Sequence, residues 1–214
     1  MSIDFKKTDK QLYQPGTQPV IIKVPEMLFL MVSGIGDPNT SDNYQKAMAA
    51  LFSLSYTIKM SKMGDTQPAG YFDFVVPPLE GLWSSPEVDD EVDLNDKNTF
   101  KWTSMIRMPD FVTHDVLASS KASLAAKKPD LDTSIAELAS FNEGLCAQVM
   151  HIGSYDTEPA TIEMLMDFIE ASAYKLDLTE ARKHHEIYLS DPRKTTPDKL
   201  KTIIRFPITA KYDQ

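Results

Sequence analysis

The chain has 214 residues, 42% hydrophobic and 25% charged, the make-up of a globular protein long enough to bury one large core or two fused small ones. Its 22 basic and 31 acidic residues give a net charge of −9, which excludes the basic footprint of a nonspecific nucleic-acid binder and argues against anionic membrane surfaces. A single cysteine, Cys146, excludes an internal disulfide; with no apolar run of spanning length and no secretory leader, the expected location is the cytoplasm.

Residues 1–19 are polar with scattered Pro and Gly and read as an arm. Val20–Val24 is a β-branched strand that Pro25 interrupts. Met27–Val32 is a continuous apolar run, a strand buried on both faces. A Gly34–Pro38 turn follows, and Ser41 or Asp42 caps a helix predicted to end near Lys62, with Tyr44, Ala47, Met48, Leu51 and Phe52 on one face. Gly70–Val76 reads as a strand stopped by Pro77-Pro78. Residues 84–98 read as an acidic loop, with Glu87 to Asp96 as a solvated stretch or lid. Phe100–Met108 is the next strand. A helix capped by Thr113 runs to Lys128, and Ile135 and Leu138 suggest a further short helix. Leu145–Ile152 is a strand turned by Gly153-Ser154. Asp156 or Thr157 caps another helix, with Glu158-Pro159 in its first turn. His184–Leu189 and Leu200–Ile208 are the last strands, separated by a helical turn at Thr196-Pro197-Asp198.

Two segments repeat one another. Met31-Val32-Ser33-Gly34-Ile35-Gly36 and Val149-Met150-His151-Ile152-Gly153 each precede a helix, and aligning Gly36 with Gly153 superposes the inward stripes of the two helices. The following strands end in proline in both halves, and the last ones share Ile106-Arg107-Met108-Pro109 and Ile204-Arg205-Phe206-Pro207. The expected architecture is therefore α+β: two βαββ units related by a pseudo-twofold, helices on one side of the sheet and a ligand groove on the other. The domain spans 20–208, with repeats of about 20–130 and 131–208 and a tail at 209–214.

Strand alternation puts His184, Glu186 and Tyr188 on one face of the strand and His185, Ile187 and Leu189 on the other. Ile187 and Leu189 need a core, so Glu186 and Tyr188 are expected on the groove side, with Phe72 and Phe74 as the aromatic wall from the first half. A strand glutamate is more often a surface carboxylate or an ion-pair member, and a strand tyrosine more often packs with a wet hydroxyl. Tyr188 gains from sharing the face of Glu186. Tyr71 joins only if Gly70 allows a bulge. Trp83 could stack on a flat ligand, and Trp102 could be core or wall. Tyr155 and Tyr56 are weaker candidates. Adjacent His184 and His185 face opposite ways, and no zinc-ligand spacing, dinucleotide loop or nucleophile elbow occurs, so neither metal nor cofactor is expected.

Five stretches together resemble the GyrI-like small-molecule-binding superfamily, in its standalone branch. They are Pro78-Leu79-Glu80-Gly81-Leu82-Trp83, Lys101-Trp102-Thr103 through Thr113, His151-Ile152-Gly153-Ser154-Tyr155 with Glu158-Pro159, His185-Glu186-Ile187-Tyr188-Leu189-Ser190-Asp191-Pro192, and Leu200-Lys201-Thr202 to Arg205. The resemblance covers about 20–208. It implies paired SHS2-like repeats and a central cleft for planar hydrophobic or cationic small molecules, with Glu186 contacting the ligand. Similar standalone proteins include hydrolases that open the cyclopropane of DNA-alkylating cyclopropanoid compounds, a detoxification. Others only bind ligands, and the namesake inhibits gyrase. On this reading Glu186 activates water, Tyr71 or Tyr188 donates to the developing oxyanion, and Tyr188, Trp83, Phe72, Phe74, Trp102, Tyr155 and Tyr56 contact the ligand. A sequestering binder and a gyrase-binding protein are the alternatives. Direct nucleic-acid and membrane partners are not expected, and the oligomeric state stays open.

Overall fold

A computed structural model describes residues 2–63, 67–85, 89, 93 and 95–211. Most of the acidic stretch between Glu87 and Asp96 therefore lies outside the described residues. Two short helices, α1 (Phe5–Thr8) and α2 (Lys10–Tyr13), form the arm. Then come β1 (Val20–Ile35), α3 (Asp42–Met60), β2 (Leu79–Trp83), β3 (Lys101–Arg107) and α4 (His114–Lys127). The second half holds β4 (Glu137–Ile152), α5 (Glu158–Ala171), β5 (Tyr174–Leu176), β6 (His184–Tyr188) and β7 (Lys201–Ala210). Each half opens with a long strand followed by a helix; two strands and α4 complete the first half, and three strands complete the second.

The sheet is antiparallel throughout, in the order β4-β1-β3-β2-β6-β7-β5. β4 also pairs with β7, through Cys146–Ile152. Six strands therefore return on themselves. Strands of the two halves pair with each other, β2 with β6 and β1 with β4. Pro25 does not end β1 as its missing N–H suggests. The ladder skips it, pairing Val24 with Gly144 and Glu26 with Asn142.

Both layers of the core follow from strand alternation. Met27, Phe29 and Met31 of β1 point one way, with Leu82, Met105, Cys146, Ile187 and Ile203. This inner face is closed by Leu12 and Tyr13 of the arm, both buried. Leu30 and Val32 point the other way and pack with Leu51, Leu54 and Ile58 of α3. Ala147, Val149, Ile204 and Phe206 pack likewise with Leu165 and Ile169 of α5. The helices sit where capping predicts. Ser41 Oγ accepts from Tyr44 N at the start of α3, and Thr113 Oγ1 from Val116 N at the start of α4.

Three expectations need correction. The strand expected at Gly70–Val76 is instead the segment before β2, which lies beyond the two prolines at Leu79–Trp83. Phe72 and Phe74 turn into the core against Phe111, and burial of the two rings outweighs pairing. In place of the helix suggested by Ile135 and Leu138, Ile135 lies in a turn and Leu138 in the start of β4, because the long β1 offers a pairing partner as far as Met31–Glu137. The groove does not lie on the helix-free face. Glu186 pairs with Gly81 and Ile204, Gly81 with Ser104, and Ser104 with Val32. Directly paired residues share a face, and Val32 and Ile204 pack under α3 and α5. Glu186 and Tyr188 therefore face the helix side, while the other face is filled by the inner core and the arm.

Candidate functional site

The site forms where β2 and β6 meet, between the first turns of α3 and α5. β6 supplies His184, Glu186 and Tyr188 from alternate positions. Tyr188 donates its hydroxyl proton to Glu186 Oε2 at 2.7 Å, and the Tyr188 oxygen itself accepts from Trp83 Nε1 at 3.0 Å. Indole, phenol and carboxylate thus form one relay, each bond polarising the next. His184 Nε2 lies 3.6 Å from Glu186 Oε1. The relay needs Gly81: a Cβ there would come within 2.9 Å of Trp83 Nε1 and 3.2 Å of Tyr188 Oη.

Aromatic rings wall the carboxylate. Tyr44, in the first turn of α3, lies near-parallel to Trp83 at 6.4 Å and edge-on to Trp102 at 4.9 Å. Tyr155, in the turn before α5, meets Tyr188 edge-on at 6.2 Å. His184 stacks on Phe206 at 4.3 Å. Trp102 is buried, its indole N–H held by the Gly36 carbonyl at 3.2 Å, so it backs Tyr44. Tyr155 is 43% exposed and forms the outer rim.

Burial sets the protonation states. It pushes the Tyr188 hydroxyl well above its ordinary range, and the charge on Glu186 pushes the same way. Burial also raises Tyr44, with the nearby Ser104 pulling the other way, and raises Tyr155, with Glu158 and Glu186 adding to it. These hydroxyls keep their protons. Burial lowers His184 more than Glu186 raises it. Glu158, the first residue of α5, is 7% exposed. Burial and then the charge of Glu186 raise its carboxyl to about 8, against a hydrogen bond with Thr202.

The opposite face of β6 is anchored differently. His185 Nδ1 and Glu143 Oε1 are 3.0 Å apart, and Arg205 donates to Glu143 at 2.7 Å and to Gln148 at 2.9 and 3.1 Å. His185 Nε2 is also 3.0 Å from Glu80 Oε2, close but poorly aligned for a hydrogen bond. Burial alone would lower His185, yet Glu143 and Glu80 hold it up at about 9. Burial would likewise raise Glu143, yet His185 and Arg205 hold it down at about 2. The arm locks into this network: Tyr13 donates to Glu80 at 3.0 Å, Arg205 to the Leu12 carbonyl at 3.0 Å and Gln148 to the Gln11 carbonyl at 2.7 Å.

Of the residues singled out from the sequence, Glu186, Tyr188, Trp83, Trp102 and Tyr155 come together. Four others do not. Tyr71 donates to the Lys59 carbonyl at 2.6 Å and packs on Phe111. Lys59 is fifteen residues along α3 from Tyr44, about 22 Å at helical rise. Phe72 and Phe74 pack on the same phenylalanine. Tyr56 is 52% exposed, further along α3 than Tyr44. Sequence reasoning passed over Tyr44 and Glu158. The available signal was position: each lies in the first turn of the helix that follows a long strand and a glycine turn. Among the described residues no group of three or more metal-ligating side chains occurs, and no helix is long and apolar enough to cross a membrane.

A family model described as the GyrI-like small molecule binding domain matches residues 17–209. The chain belongs to the GyrI-like family. This GyrI-like chain is similar to a hydrolase from Listeria innocua, at 49% identity and a TM-score of 0.89, over 97% of this chain and all of that one. It is equally similar to an uncharacterized conserved protein from the same organism, at 51% identity and a TM-score of 0.92 over the same shares. The C-terminal domain of EcmrR shares the fold at 16% identity and a TM-score of 0.55, over 90% of this chain and 98% of that one. Comparison with curated proteins gave no match.

Proposed function

We propose that this GyrI-like protein is a cofactor-independent hydrolase that takes planar, apolar electrophiles and opens a strained cyclopropane, which would detoxify cyclopropanoid DNA-alkylating compounds. The observation that carries the reading is Glu186, a carboxylate held by the Tyr188 hydroxyl within aromatic walls. The likeness at 49% and 50% identity to two Listeria innocua proteins named as hydrolases supports hydrolysis over binding alone.

The ligand enters past Tyr155 and lies against Trp83, Tyr44 and Tyr188, whose faces suit flat or cationic groups. Glu186 takes a proton from a water as that water attacks the ring methylene. The C–O bond forms, the strained C–C bond breaks, and its electron pair moves into the conjugated carbonyl. Tyr188 gives its proton to the bond with Glu186, so its first duty is to orient the base. Ring strain supplies much of the driving force, and one placed base suffices to start the reaction.

The test is to incubate the protein with a cyclopropanoid alkylating compound and follow products by mass. Many equivalents of a ring-opened product carrying one added water support the proposal. Recovery of unchanged compound, protected one-to-one by protein, would make the protein a sequestering binder.

A further inference from the structure

We propose that Glu158 is the proton donor of this reaction, so that the site sets a carboxylic acid against the carboxylate of Glu186. The inference rests on the hydrolase reading above and adds the second half of its acid–base chemistry.

A glutamate opening a helix ordinarily lies in water, where its charge favours the positive helix terminus. Glu158 is instead turned inward and buried, and among the described residues its Oε1 has no hydrogen-bond partner. The neighbours explain neither feature as a structural device. Glu186 acts on it from β6, Tyr155 from the turn just before it and Thr202 from β7. None is a cation, and His184, which flanks Glu186, is driven by burial toward its neutral form. Thr202, the partner of Tyr188 in the β6–β7 ladder, serves one oxygen. A buried carboxyl with a free oxygen, beside a second carboxylate and with no compensating charge, keeps its proton, here to about pH 8. A carboxyl that holds its proton beside a second carboxyl is placed to divide acid and base roles with it.

The step balances. Water's oxygen bonds to the ring methylene carbon, and one of its protons goes to Glu186. The ring C–C bond breaks and its pair moves to the carbonyl oxygen. That oxygen takes the proton of Glu158. The product is substrate plus one water. Glu186 is left protonated and Glu158 ionised, and transfer of that proton back resets the pair.

The experiment compares wild type, Glu158→Gln and Glu158→Asp on a cyclopropanoid compound across the pH range. Wild-type kcat should fall on an alkaline limb near pH 8, as the acid loses its proton. Glu158→Gln should lose roughly 10²–10⁴-fold in kcat with KM little changed, and lose that limb. Glu158→Asp, still an acid, should retain a limb. On wild type, infrared difference spectra should show a protonated carboxyl band that disappears as the pH rises through the same limb, and Glu158→Gln should lack that band. A purely structural Glu158 would change stability and KM while leaving the limb in place. Turnover by Glu158→Gln at the wild-type rate, with the limb intact, overturns the donor and leaves the hydrolase reading standing. Absence of turnover by wild type overturns both. If Glu158→Gln does not fold, a wild-type infrared spectrum with no band titrating near the limb overturns the donor on its own.

Discussion

Replacing His185 by leucine removes the centre of the network behind the site. His185 separates Glu143 and Glu80, each within 3.0 Å of one ring nitrogen. All three side chains are at most 2% exposed. Leucine fills the volume but leaves two buried carboxylates with only Arg205 and Tyr13 to answer them. Breaking a buried charge pair from one side costs about 3–5 kcal/mol. For a chain of this size that corresponds to a fall in Tm of roughly 6–20 °C. The cost should depend on pH in one direction. His185 titrates ordinarily near 6.5 and is held up at about 9 in the folded protein. Its contribution is therefore complete below 6.5 and fades as the pH rises through 9. Urea unfolding of both proteins across that range measures it, with the gap between them narrowing toward the alkaline end. A loss under about 1 kcal/mol at neutral pH, well short of the buried-pair cost, would refute the reasoning. So would a gap that stays constant through pH 9.

Two further substitutions separate the site from its surroundings. Gly81→Ala should push Trp83 and Tyr188 apart, because the new methyl has no room beside the indole N–H. The expected result is a folded protein whose Trp83 emission shifts and whose turnover falls at least tenfold, and unchanged fluorescence and rate would count against the relay. Tyr71→Phe should cost no more than about 1 kcal/mol, the worth of its bond to the Lys59 carbonyl, with turnover within a factor of two. A large loss of turnover there would return Tyr71 to the reaction.

Much of this arrangement is legible in the sequence. Alternation along His184–Tyr188 defines the face of Glu186 without further help, and the caps at Ser41 and Thr113 fix two helix starts. What alternation cannot tell is which face receives the helices. Ile187 and Leu189 demand a core, and a core ordinarily means helices. The closed ring of strands supplies a core of its own, plugged by Leu12 and Tyr13, so the polar face is the helix side. Phe72 and Phe74 mislead for a related reason. Aromatic, β-branched sequence fits a strand, but long-range packing on Phe111 decides their place. Tyr44 and Glu158 are invisible as site residues because each reads locally as ordinary helix sequence. Only the packing of both first turns over β2 and β6 gives them a role.

The most direct test of the account is Glu186→Gln, which keeps size and one hydrogen-bond acceptor while removing the base. Ligand binding by fluorescence quenching should remain within about tenfold of wild type, and ring-opening should fall by roughly 10²–10⁴-fold. Turnover retained by Glu186→Gln would contradict the central claim, because the aromatic side chains would then be acting without the carboxylate.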